Sequence, residues 1–321
     1  MKYHPHGSVL FVTFSIEEGL LLLSNPLCEA IIKSCLARAQ HLYPVRISHI
    51  LVEATHVHLI MVVDNPADVP AFSRHFKTES AHLLNNILGR EKRTVWCEGY
   101  DSPIVLTPAR TMVAIAYIYS NPAKDGMEDS IERYPGFSSW RMFQQGEHLK
   151  KWKWIRRPAV HALPKDSHNL RGYTKEAQRV LNQATIEHNF QIEPNAWMEA
   201  FGITDYGEQA KLSVAIVAHL RTLELRARAY RTLTGRRPLG RERMLQQKLD
   251  TYYRPKRTGM RMWCLAEKRS LRNAFIDFFR ELMARARRIS FKWRLGDFSE
   301  SYPLGLYPPS LPKLAEPLGA W

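Results

Sequence analysis

Apolar residues alternate or recur at helical spacing along the first 140 residues, and this pattern predicts seven elements. Alternating or continuous apolar runs predict strands over 9–16, 47–54 and 56–63, and a broken strand over 95–106. Helical spacing predicts helices from Asn25-Pro26 to about 42, from about 68 to 88, and onward from Pro108. Strand, helix, strand, strand, helix, strand, helix is the order of a ferredoxin-like βαββαβ fold with one added helix. The predicted fold class is therefore mixed α/β (α+β).

The second half of the chain has a different pattern, in which helical spacing dominates. Helices are predicted over about 173–190, 206–233, 240–251 and 262–289. Five prolines between positions 303 and 317 predict an extended tail. We therefore expect four segments: a ferredoxin-like domain over 1–143, a linker over 144–172, a basic helical domain over 173–300 and a Pro-rich tail over 301–321.

Charge is distributed unevenly between the two halves. Residues 1–150 contain 14 Lys+Arg and 15 Asp+Glu, a net charge of −1, whereas residues 151–321 contain 32 and 16, a net charge of +16. Such a concentration of positive charge predicts a polyanionic partner, with nucleic acid as the default. A solvated helical surface is the plain alternative, but it leaves the imbalance of sign unexplained.

Cysteines and long apolar runs bear on where the protein resides. The four cysteines are scattered and form no CxxC pair or metal-binding spacing, which predicts reduced thiols. No apolar run approaches the ~18–20 residues that cross a bilayer. The first residues lack the pattern of a signal peptide. We expect a cytoplasmic protein with no membrane partner.

Two histidines on either side of one valine are the most informative chemical feature of the chain. His56 and His58 lie in a predicted strand, where residues i and i+2 point to the same face, so the two imidazoles project side by side. Such a pair suits a divalent metal. A second pair, in His4-Pro5-His6, encloses a proline near the terminus without a strand pattern, and we discount it.

A tyrosine and an asparagine form a second candidate pair about sixty residues further on. Tyr117 and Asn121 are i and i+4 on a predicted helix, so they share a face. Pro122 disfavours continuation of that helix, which predicts Asn121 in its last turn. A histidine pair in a strand is often structural, and a single helical tyrosine usually packs. Together, two imidazoles, an amide and a phenol are the components of a metal-assisted tyrosine nucleophile.

Five short motifs occur in order over the first 140 residues. They are His56-Val57-His58-Leu59, Phe76-Lys77, Val95-Trp96 with Gly99-Tyr100-Asp101, Tyr117-Ile118-Tyr119-Ser120-Asn121-Pro122, and Tyr134-Pro135 with Ser138-Ser139-Trp140. In this set and order the chain resembles the REP-associated tyrosine transposases, a branch of the single-tyrosine HUH transposases. It departs from the family pattern where Ala54-Thr55 replaces Pro-Asn, in the turn that aims His56, and where Trp140 replaces a tyrosine.

The resemblance implies a chemistry for these residues. His56, His58 and Asn121 would be the protein ligands of Mg²⁺ or Mn²⁺, and Tyr117 would attack a DNA phosphate to give a 5′-phosphotyrosine and a free 3′-OH. A phenol with a pKa of about 10 is a poor nucleophile at neutral pH, so the cation is needed to polarise the phosphate. The covalent link conserves the bond energy and lets a second 3′-OH rejoin DNA. The implied partner is single-stranded DNA beside short palindromic hairpins, in the bacterial nucleoid.

Basic residues in both halves are candidate DNA contacts, although each alone could be a solvated charge. They are Lys77, Arg90, Lys92, Arg93, Arg110, Lys151, Lys153, Arg285, Arg287 and Arg288. The last three are predicted to end a long helix, whose dipole favours cations there. Trp152 and Trp154 could stack on unpaired bases or pack against the first domain.

Four functions share parts of this pattern. A DNA strand transferase uses all four residues of the two pairs, whereas a domesticated binder of palindromic DNA has no need to keep them. A relaxase or replication initiator would use the same chemistry, often with a helicase domain. A two-histidine phosphoesterase is excluded because it needs a second HxT/S motif. Monomer and homodimer, and cleavage in cis and in trans, are both open.

Overall fold

The computed structural model describes residues 2–17, 19–21, 25–91, 93–146, 149–156, 158, 161, 186–247, 262–306 and 308. The first seven elements are β1 Val9–Ser15, α1 Pro26–Leu42, β2 Arg46–Val52, β3 His56–Val62, α2 Asp68–Ile87, β4 Ile104–Val105 and α3 Pro108–Lys124. This order confirms the predicted mixed α/β class and the βαββαβ arrangement. The fourth strand is shorter than predicted, because 95–103 adds only isolated bridges at Trp96 and Asp101.

Two helices begin where the sequence supplies a capping residue followed by proline. The Asn25 side chain accepts hydrogen bonds from the backbone N–H groups of Leu27 and Cys28 at the start of α1. Thr107 accepts from the N–H of Arg110 in the same way at the start of α3. Local chemistry therefore fixes the start of the helix that carries Tyr117.

The central position of β3 determines where the histidines point. The strand order is β2-β3-β1-β4, and β3 is antiparallel to both of its neighbours. Val57, Leu59 and Met61 join the core cluster that contains α1 and α2 residues, whereas Ile60 and Val62 join the cluster that contains α3 residues. Because side chains alternate along a strand, the histidines share the sheet face on which α3 packs.

Eight further elements follow in the second half of the described chain. They are α4 Trp140–Gln145, β5 Leu149–Trp154, β6 Ile186–Gln191, α5 Ala196–Ala200, α6 Tyr206–Leu233, α7 Arg241–Leu245, β7 Cys264–Leu265 and α8 Arg269–Arg294. The predicted bounds of 206–233 are confirmed. Of the helix predicted over 173–190, residues 173–185 lie outside the described residues, and the prediction is wrong for 186–190, which belong to β6. The partner strand β5 lies inside the segment predicted as linker. Of the helix predicted over 240–251, five residues are helical and 248–251 lie outside the described residues.

The last long helix runs over 269–294 rather than 262–289. Its start is displaced because Cys264 and Leu265 pair with β4 in parallel and add a fifth strand to the sheet. Its end lies beyond Arg285, Arg287 and Arg288, so the prediction that these arginines end the helix is wrong. Apart from residues 301–306 and 308, the predicted tail lies outside the described residues.

The antiparallel pair of β5 and β6 shows how the two tryptophans of β5 are packed. Trp152 stacks on Phe190 with ring centroids 4.6 Å apart and meets Phe137 edge-on at 4.7 Å. Trp154 lies beside the guanidinium of Arg38. Both rings are partly buried against the core cluster that contains α1 and α2 residues, so packing accounts for them.

No helix in the described part of the chain has the length and apolar character to cross a bilayer.

Candidate metal centre and nucleophile

A carboxylate lies beside the histidine pair. Glu53 directly follows β2, and its N–H donates to the carbonyl of His56 across the turn into β3. The Oε2 atom of Glu53 lies 2.7 Å from Nε2 of His56, and the imidazoles of His56 and His58 are 4.4 Å apart between centroids. One ligand atom from each of the three residues lies within 4.8 Å of the other two. The structure thus brings together three groups that can hold one cation.

Two threonine hydroxyls contact the Nδ1 atoms of the histidines, on the side of each ring opposite Nε2. Thr13, the cross-strand neighbour of His58, places Oγ1 2.9 Å from its Nδ1. Thr55 places Oγ1 2.9 Å from Nδ1 of His56. When Nδ1 donates its proton to the hydroxyl, Nε2 keeps the lone pair that binds a metal. Thr55 therefore supplies a contact that orients His56.

Burial keeps His58 neutral. Its pKa is lowered well below the ordinary 6.5 by burial, and further by the nearby charges of His56 and Lys124. Among the described residues, Nε2 of His58 has no hydrogen-bond partner, and the carboxylate of Glu53 has none beyond the 2.7 Å contact of its Oε2 with Nε2 of His56. A buried carboxylate with so few partners is costly unless a cation lies against it. These unsatisfied atoms fit a divalent metal.

The tyrosine and asparagine of α3 share one face, as predicted, and Asn121 lies in the last turn of that helix. Lys124 links them, because its Nζ donates to the hydroxyl of Tyr117 at 2.7 Å and to Oδ1 of Asn121 at 2.9 Å. Tyr117 is 40% exposed, and its ring centroid lies 6.4 Å from that of His58. The ring of Phe11 contacts both. The exposed phenol and the histidine pair therefore occupy one site.

Sequence reasoning missed Lys124 and Glu53. Burial alone would lower the pKa of Lys124, but the hydrogen bond to Tyr117 and the carboxylates of Asp125 and Glu53 raise it overall. Lys124 is therefore a cation that donates to the phenol rather than a base. Its spacing of three and seven residues from the predicted pair was an available signal. For Glu53 the signal was an acidic residue beside the histidine-bearing strand.

Two other tyrosines in the motifs do not present their hydroxyls. The hydroxyl of Tyr119 is buried, 2.8 Å from both Nδ1 of His49 and Oγ of Ser139, and burial raises its pKa. Burial also raises the pKa of Tyr100 to about 12. Of the two tyrosines in α3, only Tyr117 faces the histidine pair with an accessible oxygen.

The candidate DNA contacts are widely dispersed. Lys77 donates to the carbonyls of Cys97 and Gly99, which ties α2 to the loop before β4. Arg288 pairs with Glu300 at 3.1 Å. Four other candidates are exposed: Arg93, Lys151, Arg285 and Arg287. Two more, Arg90 and Arg110, are half-buried. Lys92 and the side chain of Lys153 lie outside the described residues. Their part in DNA binding stays a prediction.

No family model and no curated protein matches the chain. Among solved structures, the chain is similar to a REP-associated tyrosine transposase bound to a REP hairpin. The similarity is distant. The two sequences are 17% identical over 45% of this chain and 84% of that chain, with a TM-score of 0.37.

Proposed function

We propose that the protein is a metal-dependent DNA strand transferase that cuts single-stranded DNA with Tyr117. The observation that carries the proposal is the position of the exposed phenol, which is held by Lys124 beside His58 and its unsatisfied Nε2. A purely structural tyrosine would be expected to bury its ring and hydroxyl, as Tyr119 does on the same helix.

The proposed reaction is a transesterification. The oxygen of Tyr117 bonds to phosphorus, the bond from phosphorus to the 3′ oxygen breaks, and that oxygen leaves as a hydroxyl once it has taken a proton. The phenol loses its proton to solvent, and Lys124 orients the phenol oxygen. His56 and His58 would hold Mg²⁺ or Mn²⁺, which when bound polarises the scissile phosphate and offsets charge on the leaving oxygen. Reversal by another 3′-OH would rejoin DNA.

The proposed substrate is single-stranded DNA beside a hairpin, gripped mainly through its phosphates. Support comes from the net charge of +16 in residues 151–321 and from the exposed side chains of Lys151, Arg285 and Arg287. Phosphate contacts predict an affinity that falls steeply as salt rises. The acidic balance of residues 1–150 makes the second half the main source of this attraction.

Labelled single-stranded hairpin DNA incubated with the full chain and Mn²⁺ tests the proposal on a denaturing gel. Tyr117→Phe should abolish the covalent protein–DNA product and leave DNA binding nearly unchanged, because only the hydroxyl is lost. Tyr119→Phe, on the same helix, is the matched control and should keep the product. An adduct that survives in Tyr117→Phe refutes the assignment. Tight hairpin binding with no adduct in any divalent metal would favour the non-cleaving binder.

A further inference from the structure

Glu53 is a buried acid whose carboxylate contacts the imidazole of His56. Its side chain has no exposed surface. Its Oε2 lies 2.7 Å from Nε2 of His56, an ion pair when that imidazole is protonated, and neither carboxylate oxygen has a further hydrogen-bond partner in the described part of the chain. The charged groups near it are the imidazole of His56, if protonated, and more distantly the ammonium of Lys124. A carboxylate in such surroundings is stabilised by a cation placed directly against it.

The atoms around Glu53 are close enough together to act as ligands of one cation. Its Oε2 lies 2.7 Å from Nε2 of His56, and the ligand atoms of these two residues and His58 are within 4.8 Å of one another. Thr13 and Thr55 already satisfy the opposite nitrogens of the imidazoles. Two imidazoles and a carboxylate are a set that binds Mn²⁺ and other first-row divalent metals.

Asn121 is placed differently. Its Oδ1, the atom that would bind a metal, accepts a hydrogen bond from Lys124, which also donates to Tyr117. The amide therefore belongs to the group that positions the phenol. We infer that Glu53 is the third protein ligand of the metal centre with His56 and His58, in the role that the family resemblance implies for Asn121. This inference rests on the metal centre of the proposed function. The competing interpretation is that Glu53 only orients a protonated His56.

Metal binding by the full chain without DNA separates the two interpretations. Free Mn²⁺ is measured by electron paramagnetic resonance during titration of the wild type, Glu53→Gln, Asn121→Ala and His58→Ala. Glu53→Gln should weaken binding by at least about 100-fold, the upper end for loss of an outer-shell partner. His58→Ala should lose binding similarly, and Asn121→Ala should stay near the wild type. Wild-type affinity in Glu53→Gln, or an Asn121→Ala loss equal to that of His58→Ala, would overturn the inference.

Thermal melts supply a second readout. Without metal, Glu53→Gln should melt above the wild type because an uncompensated buried charge is gone, and Mn²⁺ should raise its melting temperature less. A protein in which Glu53 pairs with protonated His56 would instead melt lower after the change, and that result contradicts the inference. If Glu53→Gln does not fold, Glu53→Asp keeps the charge but withdraws the oxygen, and unchanged Mn²⁺ affinity in that variant refutes the ligand role.

The outcomes distinguish this inference from the proposed function. Normal Mn²⁺ binding that depends on Glu53, with no DNA adduct under any condition, would refute the strand transferase and leave the ligand assignment standing. Adduct formation through Tyr117, together with a Mn²⁺ affinity that does not change when Glu53 is replaced, would refute the ligand role of Glu53 and leave the strand transferase standing.

Discussion

Replacing Lys124 by methionine tests whether the ammonium positions Tyr117, the proposed nucleophile. The change keeps an unbranched apolar stem out to the ε position but removes the donor that lies 2.7 Å from the hydroxyl of Tyr117 and 4.3 Å from its ring centre. A hydrogen bond to a charged group contributes about 1.5–3 kcal/mol. Because the side chain of Lys124 is 45% exposed, we take the lower end, and about 1.4 kcal/mol is tenfold in rate.

The assay is single-turnover formation of the tyrosine–DNA adduct at saturating hairpin DNA and Mn²⁺. Lys124→Met should slow adduct formation about tenfold. Lys124→Arg, the matched control, keeps a cationic donor and should lose less. A wild-type rate in Lys124→Met would refute the positioning role. A loss confined to DNA affinity would show that the ammonium acts on the DNA phosphates instead.

Two further predictions concern the support of α3. Burial lowers the pKa of His49 from 6.5 to about 3. Between these two pH values His49 binds a proton in the unfolded protein but not in the folded one, so the free energy of unfolding decreases as pH falls below 6.5. Between pH 7 and pH 5, the free energy of unfolding measured with urea should fall by about 2 kcal/mol more in the wild type than in His49→Gln. An equal fall in the two proteins would contradict this prediction. Buried Arg231 donates to the carbonyl of Ala123 and to Asp129. Arg231→Met should cost about 2–3 kcal/mol of unfolding free energy and slow adduct formation, whereas Arg228→Met, exposed on the same helix, should do neither.

Local periodicity was enough to predict the two faces that meet at the site. The alternation around His56 and His58 fixed their common side of a strand, and the spacing of Tyr117 and Asn121 fixed theirs on a helix. Capping chemistry located the helix starts for the same reason, since the relevant atoms are within a few residues of one another.

Features that depend on contacts between residues far apart in the sequence were not predicted. An acid in a turn such as Glu53 is ordinarily solvated, and its burial results from the packing of elements remote in sequence. The helical pattern over 186–190 did not predict β6, because the pairing of β6 with β5 is tertiary and pairing of this kind overrides propensity. Cys264–Leu265 is too short for any periodic signal and becomes a strand only because β4 is available beside it.

The parallel pairing of β4 with β7 has a consequence for biosynthesis. Residues 104 and 264 pair in the sheet. After residue 104 has been synthesised, 160 more residues must be translated before the partner strand of β4 exists. At about 5–20 residues per second that interval lasts roughly 8–32 s. During it the nascent sheet, already carrying both histidines, has an open edge that can pair with another chain. Because β4 is only two residues long, it offers few backbone groups for such pairing while the ribosome completes the chain.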